Sequence, residues 1–160
     1  MSTDAVEVVE RLYAAFDRRD HTTMAACYGP AARFSDPVFP ALQGHEIGEM
    51  WRMLCERGTD LRVAAGPVRE AEGGRLLVDW EARYSYSATR RPVHNRIRAS
   101  FYLEGGLIRD HRDRFDLYAW ARQALGLPGV LLGWSTPFQQ AIRSRARRAL
   151  AADVAARWLP

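Results

Sequence analysis

At 160 residues, with 48% hydrophobic content and a formal net charge of +4, the chain is long enough to bury one sizeable core, and no linker or low-complexity stretch divides it. All 23 basic residues are arginine. Arg143, Arg145, Arg147, Arg148 and Arg157, set against Asp153, carry the whole excess, because the other eighteen arginines and eighteen acids cancel, and basicity confined to one terminal helix argues against a nucleic-acid-binding domain body.

The start, Met1-Ser2-Thr3-Asp4, lacks the basic and apolar regions of a signal peptide, and no apolar run reaches membrane-spanning length. A soluble cytoplasmic protein without a membrane span is expected. Cys27 and Cys55 fall in different predicted helices with no metal or redox spacing, so they read as two partly buried thiols.

Asp4 followed by Glu7 reads as a helix start, and Ala5, Val8, Val9, Leu12 and Phe16 recur at helical spacing to about Arg19. Asp20 is placed to cap a short second helix through Met24 to Cys27, ended by Gly29-Pro30. Residues 31–36 read as a strand entering a proline-bounded loop. A third helix is expected from His45 to Arg57, with Ile47, Met50, Trp51 and Leu54 on one side and Gly58 at its end.

From Asp60 the pattern turns to alternation, and 61–69, 75–86, 93–103 and 107–117 read as four strands. Glu-Gly-Gly occurs at 72–74 and again at 104–106, and glycine supplies the positive backbone angles that tight hairpins need. The result is a curled antiparallel meander. Residues 118–125 then read as a short helix capped by Asp116, and 126–134 as a glycine-punctuated link. Thr136-Pro137-Phe138-Gln139 reads as a capping box with proline at the first helical position. Along the helix it opens, Phe138, Ile142, Ala146, Leu150, Val154 and Trp158 form an apolar stripe that must pack on the sheet exterior, a second subunit or a membrane surface, in that order of preference.

Alternation also picks out one face of the meander. Leu76, Val78, Trp80, Ala82 and Tyr84 share a face, as do Val93, Asn95, Ile97, Ala99 and Phe101, and as do His111, Asp113 and Phe115. Trp80, Tyr84, Asn95, His111 and Asp113 would therefore line an aromatic pocket with few polar groups, suited to a small apolar organic ligand. His111 beside Asp113 suggests a dyad in which a carboxylate fixes an imidazole tautomer; the alternative is a histidine hydrogen-bonded for structure. Asp36, before Pro37, reads as either a proton carrier or a turn residue bonding its own loop. His94 has the outward parity, which disfavours a metal site with His111 and Asp113, and no cofactor is expected.

The order of parts, together with Phe34-Ser35-Asp36-Pro37-Val38-Phe39-Pro40 and the hairpin from Tyr102 to Leu117, resembles the SnoaL-like superfamily, which also holds nuclear transport factor 2, ketosteroid isomerase and limonene epoxide hydrolase. The resemblance implies an α+β fold: a cone-shaped curved antiparallel sheet wrapped around N-terminal helices, a cystatin-like α+β barrel. It would occupy residues 1–125, with 126–160 as an added C-terminal helical extension. It further implies that Asp36 stands where the isomerase has its base. Arg112-Asp113-Arg114-Phe115-Asp116-Leu117 matches the hydrolase segment bearing its proton-donating aspartate. The chain departs from both, since Leu12 takes the place of the isomerase's oxyanion tyrosine, with Tyr13 one position off, and Ala82-Arg83-Tyr84-Ser85 lacks the hydrolase's second acid. The expected activity is cofactor-free acid/base chemistry with Asp113, Asp36 and His111 catalytic and Asn95, Trp80, Tyr84, Trp51 and Tyr13 binding substrate. The alternative is a non-catalytic ligand-binding or protein-interaction module of the same fold, and a homodimer is expected in either case.

Overall fold

The computed structural model describes residues 2–158. Helix α1 (Thr3–Asp17) buries Val8, Val9, Leu12 and Phe16 together with Tyr13 and Ala15, the face its spacing predicts. Asp20 caps α2 (His21–Ala26), its carboxylate accepting from the Thr23 backbone N–H at 3.0 Å and from the Thr23 hydroxyl at 2.6 Å. The first of these satisfies one of the backbone N–H groups that a helix start leaves open. Strand β1 (Tyr28–Ser35) begins three residues before the expected start and runs through Pro30. The proline is tolerated because the register against its neighbour is irregular between Tyr28 and Arg33. Then come β2 (Leu42–Gln43) and α3 (His45–Arg57), which buries Ile47, Met50, Trp51, Met53 and Cys55.

The region expected as one strand over 61–69 is two, β3 (Arg62–Ala65) and β4 (Arg69–Ala71), separated at Gly66-Pro67. Both pair antiparallel with β5 (Arg75–Ser85), which pairs with β6 (Pro92–Glu104), which pairs with β7 (Leu107–Arg114). The seven-stranded order is β2-β1-β7-β6-β5-β3, with β4 beside β5. The meander is antiparallel as expected, but β1 joins β7 in parallel, so the curved, unclosed sheet is mixed. That pairing needs a long crossover, supplied here by α3 and the meander itself. The helices lie against its concave face, and burial alternates along β5, β6 and β7 as the sequence parity predicts.

One departure from simple alternation matters. Tyr102 pairs with Asp110 and Leu103 with Ile108, which leaves Arg109 as an unpaired extra residue. This β-bulge turns Ile108 and His111 to the same interior, whereas unbroken alternation would put one of them in solvent.

Asp116 caps α4 (Leu117–Leu125), accepting from Ala119 N–H at 3.0 Å. The stretch expected as a link contains α5 (Leu127–Leu132), and α6 spans Thr136–Trp158. Thr136 is thus the first residue of α6 and not its cap. The Gln139 side chain donates to the Gly133 carbonyl, so no reciprocal capping box forms.

The α6 stripe does not lie on the sheet exterior. It packs on α3, where Leu150 is buried and Ala146, Ala149 and Val154 join the main core, and Ile142 joins a second cluster with Val93, Leu117 and Trp120. Arg157 pairs with Glu49 of α3 and, at 2.9 Å, with Asp153. The Arg143 guanidinium donates to the Pro37 carbonyl at 2.8 Å. The sheet's outer face instead carries charged pairs such as His94–Glu81 at 2.7 Å and Arg98–Asp79 at 2.7 Å, a poor partner for an apolar stripe. Trp158, the last member of the stripe, is exposed.

Candidate functional site

His111 and Asp113 stand two residues apart on β7, so both face the cone interior, where they are 1% and 5% exposed. Both belong to a single hydrogen-bonded chain. Trp51 Nε1 donates to Tyr28 Oη at 3.1 Å, Tyr28 Oη meets His111 Nδ1 at 2.8 Å, His111 Nε2 meets Asp113 Oδ1 at 3.0 Å, and Trp80 Nε1 donates to the same Oδ1 at 3.3 Å. Indole N–H groups can only donate. A carboxylate oxygen can only accept, so the imidazole presents Nε2–H to Asp113 and Nδ1 accepts from the Tyr28 hydroxyl. Burial, chiefly, raises the Tyr28 phenol well above its usual range, which keeps that proton in place. Every proton in the chain then points from an indole toward Asp113.

Rings hold this arrangement in place. The His111 ring lies 4.1 Å from Phe101, 5.0 Å from Phe34 and 6.2 Å from Trp51, centroid to centroid. Tyr13 packs 5.6 Å from Trp80 and 6.1 Å from Phe101. Its hydroxyl is buried with no hydrogen-bond partner among the described residues. Burial raises the Tyr13 phenol well above its usual range, and the nearby Asp113 charge adds to the shift. A buried hydroxyl without a partner is costly and calls for a physical reason.

Asp36, in the loop after β1, is half-buried. Its Oδ1 accepts from the backbone N–H groups of Val38 at 2.7 Å and Phe39 at 2.5 Å, so it does bond its own loop as the turn reading expects. Burial nevertheless pushes its carboxyl up to about 7; the Asp113 charge adds to the rise, and the Phe39 and Val38 N–H groups oppose it. Tyr84 is likewise half-buried, its hydroxyl accepting from Trp120 Nε1 at 2.8 Å and its phenol pushed by burial up to about 12, with a small contribution from Asp36. Asn95 is half-buried opposite Ala82.

The interior therefore has a buried group, Tyr13, Trp51, Trp80, His111 and Asp113, and a less buried one with Asp36 and Tyr84. The two are electrostatically linked through the carboxylates. Tyr28, the hinge of the deep chain, was not among the residues singled out from the sequence. Counting back in twos from Phe34 would have reached it. Among the described residues no group of three His, Cys, Asp or Glu side chains could hold a metal ion. His94 is engaged on the outer face with Glu81.

Two surface cavities, of about 720 and 310 Å³, lie elsewhere. The larger is an open groove on the outer sheet face bordered by Arg33, Arg75, Tyr102, Arg109, Asp110 and Arg112. Neither cavity is lined by Asp36, His111 or Asp113.

A family model described as the SnoaL-like domain matches residues 9–111. No curated protein matches the chain. Among solved structures, an NTF2-like protein of unknown function from Burkholderia pseudomallei superimposes with a TM-score of 0.66 at 22% identity, covering 76% of this chain and 98% of its own. A protein with a ketosteroid isomerase-like fold from Catenulispora acidiphila, in complex with trimethylamine, gives 0.67 at 16% identity, covering 81% and 97%. An LEH-like epoxide hydrolase from M. tuberculosis gives 0.61 at 20% identity, covering 81% and 96%. At these identities the likeness is one of fold.

Proposed function

The chain belongs to the SnoaL-like domain family, and from that premise we propose that it is a cofactor-independent enzyme performing acid/base proton transfer, of the isomerase, cyclase or hydrolase type, on a small apolar metabolite. The observation that carries this reading is the state of Asp113. Its carboxylate is fixed through Oδ1 alone by His111 and Trp80, beside the partnerless Tyr13 hydroxyl, inside an aromatic shell. A ligand's acceptor atom meeting the Tyr13 O–H beside Asp113 would satisfy that hydroxyl. Low local dielectric strengthens such contacts.

In this reading Asp113 moves the proton, and His111 holds its orientation. Asp36 is the second proton carrier, since an acid titrating at about 7 is matched to transfer near neutral pH. Trp51, Trp80 and Tyr84 shape the apolar walls, and Tyr13 and Asn95 orient the ligand. Residues 1–125 would form the catalytic domain, and 126–160 a helical extension upon it. The protein would act as a cytoplasmic homodimer.

The burial of His111 and Asp113 under rings favours a second reading, a non-catalytic binding module of the same fold. Incubating the protein with a panel of apolar enones, epoxides and aryl ketones separates the two. Turnover that Asp113→Asn abolishes supports the enzyme. Ligands that bind, shift the tryptophan fluorescence and return unchanged support the module.

A further inference from the structure

Helix α5 is built inside out. Gly129 and Gly133 face the body: a Cβ at Gly129 would lie 2.0 Å from the Ala121 carbonyl oxygen of α4, and one at Gly133 only 2.9 Å from the Ala121 side chain. The Tyr118 hydroxyl ties the helix down by donating to the Val130 carbonyl at 2.9 Å. With only glycine able to occupy the contact side, the large side chains point away. Leu127, Val130, Leu131, Leu132 and Trp134 are 69%, 43%, 60%, 51% and 67% exposed. Scattered apolar residues on a surface are ordinary, but five within eight positions form a patch that marks a contact surface.

Along the chain on either side of the patch the charges have one sign. From Leu117 to Ala152 the chain has no acidic residue and carries Arg122, Arg143, Arg145, Arg147 and Arg148. Arg122 lies over the Tyr118 ring at 4.7 Å, beneath α5. Arg91 donates to the Gln123 carbonyl at 2.9 Å and borders Gly126, the residue that joins α4 to α5. Arg145, Arg147 and Arg148 are exposed on the helix that follows.

We propose that α5 and its arginine collar form a docking surface for an anionic lipid bilayer, on which the protein lies peripherally. The helix is six residues long, and no helix among the described residues is long and apolar enough to cross a membrane. Insertion therefore stops at the headgroup boundary, where tryptophan and leucine are favoured and flanking arginines meet lipid phosphates. A second copy of the chain suits the patch less well. A two-fold contact through it would set one arginine collar against its identical mate, with no acid in either to neutralise them. The surface is separate from the cone interior, so this inference stands independently of any catalysis there.

The test is flotation of the full chain with vesicles of phosphatidylcholine alone and of phosphatidylcholine mixed with phosphatidylglycerol. The expected result is co-flotation with the mixed vesicles, reversed by high salt. Leu131→Asp should lower it by about tenfold or more, and Arg122→Gln should lower it less. A fluorescence blue shift on binding should disappear in Trp134→Phe. Since these side chains are exposed, the variants should keep the wild-type circular dichroism, and Leu127→Ser is a second apolar deletion should Leu131→Asp not fold. Protein left unbound by both vesicle types would overturn the proposal. So would a Leu131→Asp variant that floats like wild type, or one that turns a dimer into a monomer, which would assign the patch to a second copy.

Discussion

Asp113 accepts two N–H groups that have no other use, so its substitution separates chemistry from stability. Asp113→Asn keeps the shape and an acceptor oxygen; turnover in any substrate found should fall by about two to four orders of magnitude while the fold survives. Asp113→Ala orphans the His111 Nε2–H and the Trp80 N–H together, and urea denaturation should show a loss of about 2–4 kcal/mol. Tyr28→Phe removes the link between Trp51 and His111 and should cost about 1–3 kcal/mol by the same measurement.

Asp36 gives a pH signature. Its folded value, about 7, lies above the 3.8 of an unperturbed carboxyl, so the native state holds a proton that the unfolded chain has released. The contribution to stability is full below about 4, is lost as pH rises through about 7, and is constant above that. Asp36→Asn should flatten this slope and, at pH 8, raise stability by up to about 4 kcal/mol. A wild-type stability curve flat between pH 4 and 7 would contradict the assignment.

At the scale of elements, the C-terminal helices depend on two kinds of contact. Helix α6 is secured by Leu150, by Arg157 between Glu49 and Asp153, and by Arg143 on the Pro37 carbonyl. Because that last bond reaches the loop bearing Asp36, the helix braces that loop. Leu150→Ala should lower stability by about 2–4 kcal/mol in chemical denaturation. Helix α5 depends on the absence of a side chain. Gly129→Ala would drive a methyl into the Ala121 backbone oxygen, and the helix can only lift away. Hydrogen exchange should then show the amides of 127–133 losing protection while β5, β6 and β7 keep theirs. Unchanged exchange at these amides would refute the close approach.

Across the whole molecule, the outer sheet face carries His94, Arg96, Arg98 and Tyr102 beside Glu81 and Asp79, most of them already engaged in ion pairs such as Arg69–Asp79 at 2.5 Å. A polar face containing arginine and tyrosine suits a two-fold interface better than it suits a core. The proposed homodimer should appear in sedimentation at micromolar concentration. Tyr102→Glu should dissociate it without unfolding the protomer, and a wild-type monomer at that concentration would refute it.

Sequence alone determined whatever depends on neighbours along the chain. Alternation with period two set the inner faces of β5, β6 and β7, including His111 and Asp113. Helical spacing set the buried sides of α1 and α3, and Asp20 and Asp116 announced their caps. Tertiary structure decided what depends on distant partners. The parallel docking of β1 on β7 brings Tyr28 to His111 across 83 positions, and a single-residue bulge at Arg109 admits both Ile108 and His111. Neither leaves a local pattern, because the bonds that define them close between segments far apart in the chain. The packing of α6 on α3 was hidden for a related reason: an apolar stripe states that a face is buried but not against what. For α5 the signal misled, since the glycines of Leu-Pro-Gly-Val-Leu-Leu-Gly-Trp read as those of a link, where the structure has a helix. Only the fold shows that its glycines take the inward positions and leave the leucines facing out.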